Sequence, residues 1–510
     1  MELMNKRQYL EGLRCAKNLF LSFYKKELAE LNDNSMLAMQ IGKDFEDVVR
    51  KLIAPQGIDI TSYGNKMDDY IQETQSELER HSIVPDEPLI LYQATFKSRA
   101  EGIVTMTDIL IKNKDSVEII EVKAICELTD LIIYDTAFQY CCLTGAGLNI
   151  SKFSVAYVNK NYVRGDELTS DLILLKDVTK VVKRLRPRVL KNIQRFQKIL
   201  KRAEEPDTDI GMHCFANNKC PFWGYCTEYL GPQNIFQIKS MRLEKKMKLH
   251  WKGISSIEQL TEGNHKLTDL QRIQIMSALE DKIVIQKPAL EAWLKPVLEA
   301  EENIFMDFES LGGLPLYEGC KPFQNICFQW SIQCYSRSTK QIHEKHFLAD
   351  PGKDPRREFI ESLIAHISEF DNEAPIIVYN LAFEKTQLKT LAILFPEYED
   401  DIKSIISRLY DLMEVFRKRI YYDKRFEGSY SIKKVFEVIC PEPTSGAKSY
   451  KFLRINNGVQ ASLAYHTLGA MSKKEADIVR NDLIRYCSND TICMLDIIRS
   501  LEEVVYPVEF

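Results

Sequence analysis

The run of apolar and polar positions divides the chain into two mixed α/β stretches with a helical stretch between them. Residues 6–51 read as helical. Strand-like runs follow at 89–96, 102–111 and 117–123, rich in β-branched residues and punctuated by the turn Lys112-Asn-Lys-Asp115. A helix is expected over 129–143, ended by Gly145, and then a strand at 153–158. The stretch closes on a long basic helix, in which Val178, Val181, Val182, Leu185, Ile193, Phe196 and Leu200 repeat at three-to-four spacing. Pro187 is expected to kink it or to mark a break. Residues 234–300 are helical in pattern, with no strand candidate of any length, and read as a connector. A second α/β stretch opens with strands near 304–308, 326–333, 343–348 and 376–379 and continues in helices. No internal repeat or low-complexity tract interrupts the pattern.

The 510 residues suggest about three domains. With 45% hydrophobic and 28% charged residues and a mean hydropathy of −0.25, the composition is that of a globular chain able to bury large cores. No apolar run approaches the ~20 residues that span a bilayer. The opening Met-Glu-Leu-Met-Asn-Lys-Arg-Gln puts charges where a secretory signal needs an apolar core, so a cytoplasmic protein without membrane attachment is expected. The 13 cysteines do not look like a disulfide framework, and clustered thiols point to metal or catalysis. Net charge is −5, yet residues 176–202 hold eleven basic side chains against one acid, Asp177, a local +10 that leaves −15 for the rest. A polyanion senses that local field rather than the pI of about 6.0.

Glu121-Val-Lys123 on a strand puts both side chains on one face, and Asp108 lies on the neighbouring strand of what reads as a hairpin. Two carboxylates hold Mg²⁺ or Mn²⁺ through hard oxygen ligands, and a lysine orients or polarises the water that attacks a phosphodiester. A salt-bridged surface hairpin is the alternative reading. Gly42-Lys-Asp-Phe-Glu46 brings a third carboxylate on a helix, and Gln139 lies on the helix after Lys123. The order Gly-x-x-x-Glu, Asp, Glu-x-Lys, Gln resembles the RecB-like branch of the PD-(D/E)xK nucleases, including the CRISPR-associated RecB-like exonucleases. The resemblance implies a restriction-endonuclease-like domain with Glu46, Asp108 and Glu121 as metal ligands. It also implies a catalytic Lys123, with Gln139 supporting substrate or metal geometry. The branch often has His where this chain has Glu46.

Cys214-x5-Cys220-Pro-Phe-Trp-Gly-Tyr-Cys226 gathers three thiols within thirteen residues, and Cys15 stands alone on the first helix. Four thiolates are what a 4Fe-4S cluster requires. Zinc, with His213 as a further ligand, and buried unliganded thiols are the alternatives. Several RecB-like nucleases carry one cysteine before the nuclease motifs and three after them, gathered by a 4Fe-4S cluster. That resemblance implies a structural cluster on Cys15, Cys214, Cys220 and Cys226, tying the first helix to the end of the basic one. Cys141 and Cys142 read as core residues.

In the second stretch, Asn303-Ile-Phe-Met-Asp307-Phe-Glu309 again puts two carboxylates on one strand face. Val378-Tyr-Asn380-Leu-Ala-Phe383-Glu384 reads as a buried strand running into a helix. In Tyr486-Cys-Ser-Asn-Asp490, positions i and i+4 share a helix face. Taken singly, Asp-Phe-Glu reads as strand polarity. In this order the three resemble the DEDD 3′–5′ exonucleases of the RNase H-like fold, in the branch with a tyrosine in the last motif. The resemblance implies Asp307, Glu309, Glu384 and Asp490 as ligands of two divalent ions, with Tyr486 orienting the attacking water. Glu384 stands where that branch has Asp. The segments Arg408-Leu-Tyr-Asp411-Leu and Tyr430-Ser-Ile-Lys-Lys-Val-Phe-Glu437 resemble the strand and helix between its second and third motifs.

The whole chain, with His250-Trp-Lys-Gly253-Ile and Lys321-Pro-Phe-Gln followed by Phe328-Gln-Trp-Ser331, resembles an uncharacterised bacterial family fusing a RecB-like nuclease to an RNase H-like exonuclease. The expected organisation is a nuclease domain with the cysteine cluster over 1–233, a helical connector over 234–300 and an RNase H-like exonuclease domain over 301–510. The expected function is metal-dependent hydrolysis of nucleic acid, DNA in preference to RNA, including 3′–5′ exonuclease activity. Lys183, Arg184, Arg186, Arg188, Lys191 and Arg195 are the candidates for backbone contacts, a merely solvated basic face being the alternative. The rival functions are an RNA-processing exonuclease, or a nucleic-acid-binding subunit of a repair or defence complex with one inert head. No P-loop of the form G-x-x-x-x-G-K-[ST] is present, so an ATP-driven step requires a helicase or defence-complex protein as partner.

Overall fold

In a computed structural model, residues 3–507 are described apart from 31–33, 65, 84–87, 217 and 264. The chain is a mixed α/β protein of two compact units, Met1–Tyr229 with Gly313–Gln324, and Leu230–Gly312 with Asn325–Phe510. The segment 234–300, expected as a connector, falls within the second unit. Among the described residues no helix is long and apolar enough to cross a membrane.

The first unit is built on a six-stranded sheet in chain order. Its strands are β1 (Ile58–Asp59), β2 (Leu89–Ser98), β3 (Ile103–Lys112), β4 (Val117–Lys123), β5 (Ile150–Val158) and β6 (Ile173–Asp177). β2, β3 and β4 form an antiparallel meander, and β5 lies parallel to β4. A parallel neighbour needs a crossover, which is α5 here (Asp130–Gly145). The helical N-terminal stretch is broken into α1 (Lys6–Arg14), α2 (Ala16–Tyr24), a short turn at Lys26–Leu28 and α3 (Asn34–Ile53); its residues 31–33 lie outside the described ones. The break falls at Cys15, whose extended backbone (φ −165°, ψ 138°) ends one helix and caps the next. A helix at Met67–Ile83 (α4) was not expected from the pattern. The basic helix, α6 (Thr179–Ile199), is continuous through Pro187, correcting the expected break. Pro187 and Lys183 are exposed, while Val182, Val189, Ile193 and Phe196 hold the opposite face in the core. Tyr9 of α1 stacks on Phe138 of α5 with centroids 5.0 Å apart. The close approach of α1 to α6 requires Gly12, where a Cβ would stand 2.8 Å from the Phe196 ring.

The second unit opens with the helices Leu243–His250, Ile257–Glu262, Asp269–Glu280 and Lys287–Glu299. Among them is the two-residue strand β7 (Val284–Ile285), paired with Tyr421–Tyr422 and unforeseen in the pattern. The main sheet comprises β8 (Glu302–Leu311), β9 (Ile326–Ser336), β10 (Ile342–Leu348), β11 (Ile376–Val378) and β12 (Leu409–Asp411), in the order β10-β9-β8-β11-β12. The first three are antiparallel neighbours, and β11 runs parallel to both β8 and β12. Strand alternation assigns the two faces. Ile304, Met306 and Phe308 pack with Phe359, Leu363, Leu388 and Ile402 of the helices on one side. Phe305 packs with Tyr465, Tyr486 and Ile497 on the other, where the long helix Lys473–Val505 lies.

Candidate functional site

The same alternation turns Asp307 and Glu309 toward the helix Lys473–Val505. There Asp490 meets them, with one oxygen from each carboxylate within 4.8 Å of the others. Among the described residues this is the one group of three acidic, His or Cys side chains so closely gathered. Glu384 lies in the first turn of the helix Leu381–Leu394, only 2% exposed, and its Oε2 is buried with no hydrogen-bond partner. Burial first, and then the neighbouring carboxylates Asp490, Glu309 and Glu384, push Asp307 well above the usual carboxylate range. Glu309 is raised in the same way by burial and by Asp490. Burial lifts Glu384 to about 8. Asp490 rises to about 6, its burial opposed by hydrogen bonds from Tyr450 and Tyr486 and by the charge of Lys433. Three acids gathered this closely, with Glu384 buried near enough to act on Asp307 and Glu309, favour either protons or cations. Hard oxygen ligands in this number suit Mg²⁺ or Mn²⁺.

Tyr486 stands one helical turn before Asp490. The Tyr450 hydroxyl also donates to Asp490 Oδ1, and the Cys487 thiol donates to Asp307 Oδ2 at 3.5 Å. The Lys433 ammonium lies 5.3 Å from the Tyr450 ring centre and 5.6 Å from that of Tyr486, and donates to the Asn456 carbonyl. Cys487 and Lys433 lie inside segments singled out in the sequence but were given no role there, and Tyr450 carried no sequence signal, reaching Asp490 only through tertiary packing.

In the first unit, β3 and β4 pair from Ile109 and Ile120 onward and part at Asp108 and Glu121. Into that notch Asp108 turns its Oδ2, accepting the Val122 N–H at 2.7 Å. Gln93, opposite Asp108 on β2, interrupts the ladder at a positive φ of 56°, a strained conformation for a non-glycine residue. Its amide donates to Glu46 Oε1, which also receives Arg50 at 2.6 Å. Glu121 is wholly buried; its Oε1 accepts from both Lys123 and Lys6, the latter at 2.8 Å, while its Oε2 has no partner. Burial would raise the Glu121 carboxyl, but Lys123 and Lys6 hold it well below the usual range. Asp108 is pushed up to about 7, by burial and then by the charge of Glu121. Lys123 pairs with Asp135 at 3.0 Å, and Gln139 donates to Asp135 at 3.3 Å. All five expected residues thus surround one notch, but Glu46, Asp108 and Glu121 do not gather their oxygens as tightly as the acids of the second unit. Lys6 and Asp135 complete the site and were not expected there. Asp135 at i−4 from Gln139 on one helix is the signal that would have found it; Lys6 has none.

The four expected cysteines lie in one neighbourhood, near enough to feel one another's charge, without gathering as tightly as the acids of the second unit. Cys15, at the α1/α2 junction, raises the pKa of Cys214, Cys220 and Cys226 alike, in each case after the larger effect of burial. Cys226 reaches about 11, with burial opposed by Lys17 and reinforced by the other three thiols. The loop is fastened to the helices by Arg14, whose guanidinium donates to the Ala216 carbonyl at 2.9 Å, and by the Glu30 N–H donating to the Pro221 carbonyl at 2.7 Å. Four thiols are the donor set of an iron–sulfur cluster or of zinc, but among the described residues no three of these sulfurs lie within 4.8 Å of one another. Cys141 and Cys142 are fully buried core residues. On α6, Lys183, Arg184, Arg188, Lys191 and Arg195 are exposed, while Arg186 is half-buried near Glu101.

Comparison with known proteins adds sequence kinship alone. A family described as a domain of unknown function (DUF2779) matches residues 304–431. That range contains Asp307, Glu309 and Glu384, and ends before Tyr486 and Asp490. An uncharacterised protein of Mycoplasma genitalium is 24% identical over 217 residues, which are 40% of this chain and 32% of that protein, so the match spans about a third of the relative's length.

Proposed function

We propose that this chain is a metal-dependent nuclease with two active sites. The second unit would be a DEDD-type 3′–5′ exonuclease of RNase H-like fold, and the first a RecB-like PD-(D/E)xK nuclease. The observation that carries the reading is the convergence of Asp307, Glu309 and Asp490, with the partnerless buried oxygen of Glu384 beside them. The sheet order β10-β9-β8-β11-β12 supports it, as does the meander β2–β4 followed by a parallel β5 across α5. Bound at the four acids, divalent cations supply Lewis-acid stabilisation of the attacking and leaving oxygens. The chain's own residues fix the acids from two strand positions and two helices, and Tyr486 stands where it can orient a water. In the first unit, Lys123, held by Glu121 and Asp135, is placed to orient a water over Asp108. Cys15, Cys214, Cys220 and Cys226 would hold a 4Fe-4S cluster that braces α1 against the cysteine loop. The α6 cations would carry the backbone of DNA, in the cytoplasm, with a helicase or defence-complex protein as partner.

A second reading has specific support: Lys6 and Arg50 already neutralise Glu121 and Glu46, which favours a first head that binds nucleic acid without cutting it. End-labelled DNA and RNA strands digested with Mg²⁺ or Mn²⁺ test both readings. Asp490→Ala should abolish 3′ trimming and spare other cleavage, and Glu121→Ala should do the reverse. If Glu121→Ala changes nothing, the first head is inert. If the wild type cleaves neither polymer, the nuclease reading fails.

A further inference from the structure

Lys433 lies beside the acids of the second unit, and the chemistry assigned to those acids leaves it without a task. It stands in the first turn of the helix Ile432–Ile439, whose N-cap, Ser431, accepts the Lys434 N–H at 3.4 Å. The side chain is half-buried and its ammonium is firmly seated. It donates to the Asn456 carbonyl and lies 5.3 Å from the Tyr450 ring centre and 5.6 Å from that of Tyr486. Those two rings meet edge to face with their centres 6.5 Å apart, so the ammonium stands against both.

Each of these contacts leads to one of the acids. The Tyr450 hydroxyl donates to Asp490 Oδ1, and Tyr486 precedes Asp490 by one helical turn. Asn456 is followed by Asn457, the N-cap of the helix Gly458–Leu468, and a side-chain carbon at Gly458 would stand 3.5 Å from Glu309 Oε2. Lys433 is therefore on the Glu309–Asp490 side of the site, where its charge holds both carboxyls lower than burial alone would leave them. Charge matching indicates what such a cation serves. Asp307, Glu309, Glu384 and Asp490, when ionised, are balanced by two divalent cations. The single charge of a phosphodiester then remains, and it grows as the attacking oxygen adds to phosphorus. An ammonium beside the acids answers that charge, and more strongly in the transition state than in the bound ground state. The lysine stem is long and flexible, so its carbons can stay on the rings while the ammonium moves from the Asn456 carbonyl to a phosphate oxygen.

We propose that Lys433 is a further catalytic residue of the second unit, binding the phosphate under attack with its ammonium on a non-bridging oxygen. The inference rests on the exonuclease reading of the acids and adds to it the group that answers the substrate's own charge. Such a cation has two opposite effects in the same place. It attracts a nucleotide phosphate, and it opposes any divalent cation drawn to Glu309 and Asp490. A lysine that only braced Tyr450 and Tyr486 would support metal and nucleotide alike.

The test compares the full-length wild type with Lys433→Gln, which can still donate to the Asn456 carbonyl and loses only the charge, and with Lys433→Arg, which keeps the charge. Calorimetry reads two affinities: that for Mn²⁺ in the nucleotide-free protein, and that for thymidine 5′-monophosphate at saturating Mn²⁺. Lys433→Gln should bind Mn²⁺ about three- to tenfold more tightly and thymidine 5′-monophosphate about tenfold more weakly. Lys433→Arg should stay close to the wild type in both. With 4-nitrophenyl thymidine 5′-phosphate as a chromogenic diester, kcat should fall roughly 10²-fold in Lys433→Gln and far less in Lys433→Arg. If nothing is cleaved but the two affinities move in opposite directions, the exonuclease reading fails and the phosphate site stands. If Lys433→Gln shifts neither affinity, or weakens both together with the melting temperature, the lysine is a brace for the tyrosines and the proposal is overturned, whatever the rate. An arginine variant as weak for the nucleotide as the glutamine one would overturn it too.

Discussion

Glu384→Gln isolates what burying a carboxyl in this site costs. In the folded chain Glu384 is lifted from 4.5 to about 8, mainly by burial, and its Oε2 has no partner. A folded pKa above the unfolded one means that the stabilisation is complete below pH 4.5 and is lost as pH rises through about 8. Moving a carboxyl over that interval corresponds to an upper bound of roughly 5 kcal/mol, with structural relaxation reducing it. Metal-free protein should therefore lose stability to urea between pH 5 and pH 8.5, and Glu384→Gln, which cannot ionise, should lose less by about 2–4 kcal/mol. Mn²⁺ should reverse the trend in the wild type, because the ionised carboxyl is the ligand form and proton and metal compete. The assay is urea denaturation in EDTA and in Mn²⁺ at pH 5.5, 7 and 8.5. Equal pH slopes for the two proteins in EDTA would show that Glu384 is not a buried, proton-holding acid, and the reasoning about the site would fail with it.

Tyr486→Phe should lower the rate of 3′ trimming by about 10²-fold at saturating metal while leaving metal affinity within a few-fold, as measured by calorimetry. Loss of metal binding would instead make the tyrosine a support for Asp490. Asp135→Asn should cut cleavage by the first unit about tenfold without affecting 3′ trimming, because Lys123 loses the partner 3.0 Å away. Protein purified without air should be brown with broad visible absorbance, and Cys220→Ser should bleach it. Stoichiometric zinc by elemental analysis would reject iron.

How much of this was readable in the chain depends on the range of the forces involved. Asp307 and Glu309 were legible because strand alternation alone puts them on one face, opposite Ile304, Met306 and Phe308. Tyr486 and Asp490 were legible because a helix turn brings i and i+4 together. The break at Cys15 was not: good helix formers flank it on both sides, and the cysteine loop that Arg14 contacts there lies some 200 residues later. Lys6, Gln93 and Tyr450 were missed for the same reason, each reaching its site from a segment with no chemical pattern of its own. Pro187 did not end the helix, and it lies on the exposed face, opposite Val182, Val189, Ile193 and Phe196. The ordered set Glu46, Asp108, Glu121, Lys123 and Gln139 was visible, and so in principle was the i,i+4 pairing of Arg50 with Glu46, whereas the Gln93 amide reaching Glu46 from another element is a tertiary event.

The assignment of Gly313–Gln324 to the first unit has a consequence for biosynthesis and dissection. Arg164 donates to the Pro315 carbonyl at 3.0 Å, and its backbone N–H donates to the Cys320 carbonyl at 3.0 Å, so these residues are integral to the first unit. A ribosome releasing the polypeptide in order delivers everything up to Tyr229, then more than eighty residues belonging elsewhere, before the missing patch emerges. Nascent intermediates must wait with that surface bare, exposed to chaperones or to premature association. A protease cut between the units would likewise fail to liberate an intact front half, which is why the separate activities call for point substitutions in the full-length polypeptide.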